Sequence, residues 1–286
     1  MKIRNVKVPE GINVSPHRPV ADLFVLTAGT IGLFLALGLA AFLIGTYGGR
    51  YMPMSWENAL SEAMFEKGEQ NDIPEADLRA EAALQALADR LAANMDLPED
   101  LHITVHYLDD GRVNALTTLG GHIFVLRGLV DRVESENSLA MVMAHEIAHA
   151  ANRDVAANMG GALLLQLVIG TVTGMSPETA DGLIWGSNAL LLRQFSREAE
   201  RQADRDALAA VAKTYGHVAG ADAFFRILLD EMGEAVPDEG PEFLSTHPLT
   251  EKRIKELNAM TEARGWALEG EMTPLTEALT GLVPGY

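Results

Sequence analysis

His-Glu-Ile-Ala-His, residues 145–149, is the stretch that decides how this chain folds. Positions four apart lie on one face of an α-helix, so His145 and His149 can bind one metal ion. Neutral imidazole is a good zinc ligand, and the apolar residues around the pentapeptide predict a buried helix over residues 136–153. Two incidental histidines are the alternative, but buried histidines need polar partners, and a metal ion is one.

Glu146 follows the first histidine directly, which places its carboxylate beside the metal position rather than on it. A carboxylate there can take a proton from the water that attacks a peptide carbonyl, and can return it to the leaving amine. The sequence therefore predicts Glu146 as a catalytic base.

A third protein ligand must come from elsewhere, because two histidines leave a catalytic zinc site one ligand short. Position 155 is valine, so no third histidine follows at the usual spacing, and the inverted His-x-x-Glu-His order is absent. In residues 196–206, Glu200 and Asp204 lie four apart on one helix face, where Glu200 can bind the metal and Asp204 can hydrogen-bond a ligand histidine. On spacing alone, a solvated charged face explains them better. Two histidines and a carboxylate can also bind non-haem iron.

Residues 23–44 form an uncharged apolar stretch long enough to cross a membrane as a helix. A cleaved signal peptide and a buried core helix are the alternatives, but the stretch is long and a good cleavage site does not follow it. The basic residues before it are Lys2, Arg4, Lys7 and Arg18, and only Arg50 follows within twenty residues. The positive-inside rule predicts a cytoplasmic N-terminus and a single-pass protein of a bacterial inner membrane, with the rest of the chain in the periplasm.

The predicted fold is α+β and mostly helical, with a single N-terminal transmembrane helix followed by a zincin-type domain that contains a small β-sheet. Strands are predicted at 102–107, 112–118 and 121–126, and helices at 74–95, 136–153, 196–213, 218–232 and 249–264. The predicted segments are a cytoplasmic N-terminus at 1–22, the anchor at 23–44, a linker at 45–70, the metal-binding domain at 71–264 and a tail at 265–286.

Two further apolar stretches lie between the histidine pair and Glu200, at residues 155–174 and 182–192. His149 and Glu200 must lie on one side of a membrane if they share a metal, so the intervening chain crosses an even number of times. We expect no crossing and a buried or membrane-dipping helix at 155–174, because this stretch carries polar residues and four glycines. Two crossings are the alternative.

The composition excludes several other functions. The formal net charge is −18, with 40 acidic and 22 basic residues, which argues against a nucleic-acid partner because binding phosphates needs a basic face. The chain has no cysteine, so disulfide bonds and thiolate ligands are excluded.

Four ordered motifs resemble the gluzincin metallopeptidase family of HtpX, BepA, the CAAX prenyl protease and the mitochondrial inner-membrane stress protease. The first two are His-Glu-Ile-Ala-His-Ala and, about fifty residues later, Ser-Arg-Glu-Ala-Glu-Arg-Gln-Ala-Asp. The others are the segment NALTTLGGHIFV, which starts at Asn114, and STHPLTEKRI at residues 245–254. The chain lacks the several transmembrane helices of HtpX and the prenyl protease and the repeat domain of BepA.

The resemblance implies one zinc ion per subunit on His145, His149 and Glu200, with Asp204 beside a ligand. It implies catalytic roles near the zinc for Glu146, His247 and Arg253, although a plain turn residue before Pro248 is the alternative for His247. It also implies that strand 121–126 is an edge strand that pairs with the substrate backbone, with Asn114, His122 and Phe124 in the substrate-binding site.

The expected function is that of a membrane-anchored zinc endopeptidase in envelope protein quality control. Its expected partners are the membrane and polypeptide substrates that are misfolded or membrane-associated. A catalytically quiet chaperone or binding scaffold with the same fold is the alternative. The sequence leaves the oligomeric state open.

Overall fold

The computed structural model describes residues 18–65, 74–174, 195–234, 243, 247 and 251–280. Its strands are β1 (Thr104–Leu108), β2 (Ala115–Thr117) and β3 (His122–Leu126). Its helices are α1 (Pro19–Gly49), α2 (Met54–Phe65), α3 (Glu75–Ala92), α4 (Arg127–Val130), α5 (Glu136–Ala151), α6 (Asp154–Thr173), α7 (Arg197–Tyr215), α8 (Ala223–Glu234) and α9 (Glu251–Arg264). The predicted fold class, mostly helical with a small sheet, is confirmed.

Helix α5 lies at the centre of the molecule. Ser135 begins it, since the Ser135 hydroxyl accepts a hydrogen bond from the backbone N–H of Ser138. Every residue from Glu136 to Ala150 is buried, and α3, α7 and strand β2 pack around the helix. A helix buried on all sides must be apolar apart from groups with partners, so polar side chains on α5 are held in defined positions.

The sheet has the order β1-β3-β2, with β1 parallel to β3 and β2 antiparallel to it. Strand β3 is therefore the central strand, and the prediction that residues 121–126 form a free edge is wrong. Only a short turn containing Gly120 and Gly121, both with positive φ, separates β2 from β3, which explains their pairing. The parallel partner β1 comes from a more distant segment, which local alternation of residue types cannot reveal.

Helix α1 is the one helix in the described part of the chain that is long and apolar enough to cross a membrane. It extends the predicted 23–44 stretch at both ends. Most of its large apolar side chains are exposed, and its buried residues are Gly38, Gly45 and Gly49.

In the described residues, parts of the predicted linker at 45–70 are helical, and part of the predicted tail at 265–286 contacts α5. Helix α1 continues to Gly49, and α2 starts directly after Pro53, because proline favours helix starts as well as breaking helix interiors. In the tail, the backbone N–H of Thr273 donates to Asn137 Oδ1 at 2.8 Å, which attaches residues 265–280 to the start of α5.

Helix α6 lies antiparallel against α1. A Cβ placed on Gly45 would collide with the Gly160 carbonyl, and one on Gly49 with the Ala156 carbonyl. The two backbones therefore touch, as small residues permit in membrane helix pairs. The apolar stretch at 155–174 thus lies beside α1, whereas the stretch at 182–192 falls outside the described residues.

Candidate metal centre

Helices α5 and α7 and His247 bring four side chains together in the interior. His145, His149, Glu200 and His247 each offer one donor atom, these atoms lie within 4.8 Å of one another, and all four residues are buried. The Nε2 atoms of His145 and His149 are 3.1 Å apart, one helical turn separating the two residues as the sequence predicts. Glu200 lies on α7, which packs along α5.

The spacing of the donor atoms fits a tetrahedral metal site. Zinc lies about 2.0–2.1 Å from a histidine nitrogen or a carboxylate oxygen, so donors around it are about 3.3 Å apart. His247 Nδ1 lies 3.2 Å from His145 Nε2 and 3.0 Å from Glu200 Oε1. Glu200 Oε1 lies 3.4 Å from His149 Nε2. His247 therefore occupies the place of a fourth donor, beside the three ligands that were predicted.

On one side of the cluster, Asp204 and Arg253 support His145. Asp204 Oδ1 lies 3.1 Å from His145 Nδ1. Arg253 donates to both carboxylate oxygens of Asp204 at 2.7 Å, and its Nη1 lies 2.8 Å from Glu200 Oε2. The structure thus places Asp204 and Arg253 against the cluster, where the family resemblance expects them.

On the other side, His149 is supported by a residue that the sequence analysis did not single out. Asp154 Oδ2 lies 3.0 Å from His149 Nδ1, and Phe195 stacks on the His149 ring with centroids 3.9 Å apart. The available signal was an acidic residue five positions after His149, at the start of an apolar helix. Beside these residues lies a cavity of about 530 Å³, whose lining includes Arg50, Asp154 and Phe195.

Glu146 lies between the cluster and the sheet. Thr117 on β2 donates to Glu146 Oε2 at 2.7 Å, and Glu146 Oε1 lies 3.3 Å from His247 Nε2. Thr117, which the sequence analysis also missed, fixes one carboxylate oxygen and leaves the other directed toward His247. Glu146 is fully buried, so its carboxylate is shielded from bulk water.

The electrostatics of the cluster favour a cation. Burial alone would raise the pKa of Glu200 and Asp204. The facing histidines instead hold the pKa of Glu200 far below its usual range, and His145 and Arg253 lower that of Asp204 to about 2. Burial would lower the pKa of His145, but hydrogen bonds to Asp204 and Glu200 outweigh it and raise the pKa to about 9. A pocket that stabilises an imidazolium in this way also suits a divalent ion.

The three predicted substrate-binding residues lie in different surroundings. Asn114 is fully buried at the start of β2, and its side-chain amide has no hydrogen-bond partner among the described residues. His122 Nδ1 lies 2.9 Å from His106 Nε2, and Phe124 stacks on the His106 ring with centroids 4.8 Å apart. The structure thus places His122 and Phe124 beside His106 on β1.

Comparison with known proteins agrees with the motifs. The model of the family described as Peptidase family M48 matches residues 78–261. The mitochondrial metalloendopeptidase OMA1 of Bos taurus is 27% identical over 213 residues, which cover 70% of this chain and 40% of that protein. A putative beta-barrel assembly-enhancing protease of Vibrio cholerae is 32% identical over 170 residues, covering 54% of this chain and 33% of that protein. The chain thus spans less than half the length of these relatives.

Proposed function

The chain belongs to peptidase family M48, and from this premise we propose that it is a membrane-anchored zinc endopeptidase that cleaves exposed segments of envelope proteins. The observation that carries the proposal is the meeting of four donor atoms at tetrahedral spacing, with the Glu146 carboxylate directly beside them. The relatives named as a metalloendopeptidase and an assembly-enhancing protease support the reaction and the envelope role.

In this proposal, His145, His149 and Glu200 hold the zinc ion. When bound, zinc supplies a Lewis acid that polarises a peptide carbonyl and makes water more acidic. Glu146 accepts the proton of the attacking water and delivers it to the leaving nitrogen. Thr117 orients the base by its hydrogen bond to Glu146 Oε2.

His247 has two positions in the proposed cycle. In the structure its Nδ1 stands among the donor atoms, where it would hold a bound zinc ion as a fourth ligand and would have to move aside for substrate. Its Nε2 lies 3.3 Å from Glu146 Oε1, so a small outward movement keeps the ring near the reacting carbonyl. From there His247 can donate a hydrogen bond to the developing oxyanion, and Arg253 adds positive charge.

We place the substrate backbone along β2 rather than β3. Strand β3 uses both of its edges inside the sheet, whereas β2 has β3 on one side only in the described part of the sheet. Thr117 on β2 also reaches the proposed base. An extended peptide added to this edge would lie along the strand that carries Thr117, close to the Glu146 carboxylate, and backbone hydrogen bonds would give broad sequence tolerance.

The decisive test compares casein cleavage by wild type, Glu146→Gln and the exposed control Glu262→Gln. Loss of a general base costs about 10²–10⁴-fold, so Glu146→Gln should lose activity while it retains zinc in metal analysis. Glu262→Gln should match wild type. Equal cleavage by Glu146→Gln would refute the catalytic assignment and leave a binding scaffold as the function. Iron in place of zinc in the purified protein would refute the zinc assignment.

The proposed topology is a single inner-membrane span by α1, with the peptidase domain on the periplasmic side and α6 alongside α1. The chain has no cysteine, so single cysteines can report position without background. A Glu269→Cys variant, exposed on the domain surface, should react with an impermeant maleimide in spheroplasts. A Lys2→Cys variant should react only after lysis. The reverse pattern would show that the domain is cytoplasmic.

A further inference from the structure

Asp154 is a buried carboxylate that joins a proposed zinc ligand to the end of the anchor helix. Its Oδ2 lies 3.0 Å from His149 Nδ1, and its Oδ1 accepts a hydrogen bond from Arg50 Nη2 at 2.9 Å. The Asp154 side chain is 3% exposed and that of Arg50 is 53% exposed. Because each oxygen serves a different partner, the position of Arg50 determines how Asp154 presents its other oxygen to His149.

A second set of contacts, made by Arg153, also connects the turn between α5 and α6 to the residues that follow α1. Arg153, between α5 and α6, has φ 59°, a left-handed conformation that is disfavoured for a residue with a Cβ. Its guanidinium donates to the Met52 carbonyl at 2.6 Å and lies 2.6 Å from Glu57 Oε2. Contacts from just beyond α1 therefore hold the turn that orients Asp154.

The helix pair α1 and α6 fixes the distance between Arg50 and Asp154. Gly49, next to Arg50, packs directly on the backbone at Ala156, two residues after Asp154. Packing of this kind leaves no space for either helix end to shift toward the other. The ion pair thus joins two helix ends whose backbones are already in contact. This contact restricts the positions that the long Arg50 side chain can take relative to Asp154.

We propose that Arg50 and Asp154 are positioning residues of the metal centre, through which the anchor helix sets the zinc affinity of the site as well as tethering the domain. The inference rests on the proposed function, because it takes His149 as a zinc ligand. Asp154 accepts the proton on His149 Nδ1 and so directs Nε2 to the metal. Carboxylates in this position orient ligand histidines and increase their basicity, and their loss weakens metal binding by about 10–100-fold.

The test measures the zinc dissociation constant of the full-length protein in lipid nanodiscs, by competition with a chromogenic chelator at constant pH. The variants are Arg50→Gln, Arg50→Lys and Arg79→Gln. Arg79 is the matched control, since it forms an exposed ion pair with Glu75 at 3.0 Å, away from the site. Arg50 lines the cavity beside the cluster, so shortening its side chain does not remove packing from the core.

Arg50→Gln should bind zinc several-fold more weakly than wild type, Arg50→Lys should recover part of the loss, and Arg79→Gln should equal wild type. The cobalt-substituted protein should show an altered d–d absorption band in Arg50→Gln and not in Arg79→Gln, which a change in overall stability would not produce. In an Asp154→Asn background, adding Arg50→Gln should have no further effect, because Arg50 acts through Asp154.

The possible failures are distinguishable. If Arg50→Gln and wild type share one zinc affinity and one cobalt spectrum, the positioning role is refuted while the metal site stands. If folded wild type binds no zinc, the metal site and the positioning role are refuted together. Equal weakening in Arg50→Gln and Arg79→Gln would indicate a general charge effect and would also refute the positioning role.

Discussion

The two proposed ligand histidines have the same kind of support, but it comes from different parts of the molecule. His145 contacts Asp204, which Arg253 holds through two hydrogen bonds of 2.7 Å. His149 contacts Asp154, which Arg50 holds through one hydrogen bond of 2.9 Å. We call these the His145 side and the His149 side.

The two sides differ in how deeply the supporting arginine is buried and in which helix supplies it. Arg253 is nearly fully buried and comes from α9, inside the family domain, whereas Arg50 is half-exposed and comes from the end of α1. The His145 side is therefore a closed ion-pair network that the domain builds by itself. The His149 side is open to a cavity and is completed only by a residue at the end of α1.

Removing each aspartate should give the largest difference between the two sides, and this difference should appear in the free energy of unfolding. Asp204→Ala leaves Arg253 with part of its charge unpaired in the interior, and breaking a buried pair in this way costs about 3–5 kcal/mol of unfolding free energy. Asp154→Ala lets the half-exposed Arg50 turn into water, but it leaves buried His149 Nδ1 without its partner, which costs about 1–3 kcal/mol. Both variants should bind zinc about 10–100-fold more weakly.

Chemical unfolding of the metal-free protein would measure the free energy of unfolding, and chelator competition would measure the zinc affinity. Glu198→Ala on the exposed face of α7 is the control and should change neither. Similar stability losses in the two aspartate variants would contradict the difference between a closed His145 side and an open His149 side.

The pH dependence of zinc binding should show how strongly Asp204 acts on His145. Asp204 and Glu200 raise the pKa of metal-free His145 to about 9, so zinc must displace a proton from His145 at any pH below that value. Affinity should therefore increase with pH up to about 9 and then level off. In Asp204→Ala, burial lowers the pKa with less opposition, so the plateau should begin at a lower pH. A plateau at the same pH in both proteins would contradict this account of His145.

The smallest expected effect on zinc affinity comes from changing the packing between α1 and α6. Gly49→Leu should force α1 and α6 apart and loosen the Arg50–Asp154 contact, which would weaken zinc binding a few-fold. Gly48→Leu is a matched control on the next residue, because a Cβ on Gly48 meets nothing within 4 Å. Zinc titration of both variants at one pH is the measurement. Equal affinities would show that the metal centre does not depend on close helix contact.

The predictable parts of the site were those that depend on local spacing. One helical turn sets the distance between His145 and His149, and another sets that between Glu200 and Asp204, so the sequence pattern was informative for both pairs. His247 and Arg253 could be identified only through the family resemblance, because they approach the cluster from distant segments and no periodicity connects them to it.

Tertiary contacts decided what the sequence left out or predicted wrongly. The parallel pairing of β1 made β3 a central strand. The contact between Arg50 and Asp154 joins residues 104 positions apart, and neither residue has a neighbour in sequence that indicates the other. Thr117 likewise lay within a predicted strand, without any sign that its hydroxyl would reach Glu146.

The contact between Arg50 and Asp154 has a consequence for biosynthesis. Translation at roughly 5–20 residues per second delivers Asp154 about 5–20 seconds after Arg50, given the 104 residues between them. During that interval Gly45 and Gly49 of α1 have no α6 to pack against, and α5, which carries His145 and His149, is not yet complete. The contact between Arg50 and Asp154 can therefore form before the cluster of His145, His149, Glu200 and His247 is complete, because Glu200 and His247 are synthesised only after α6.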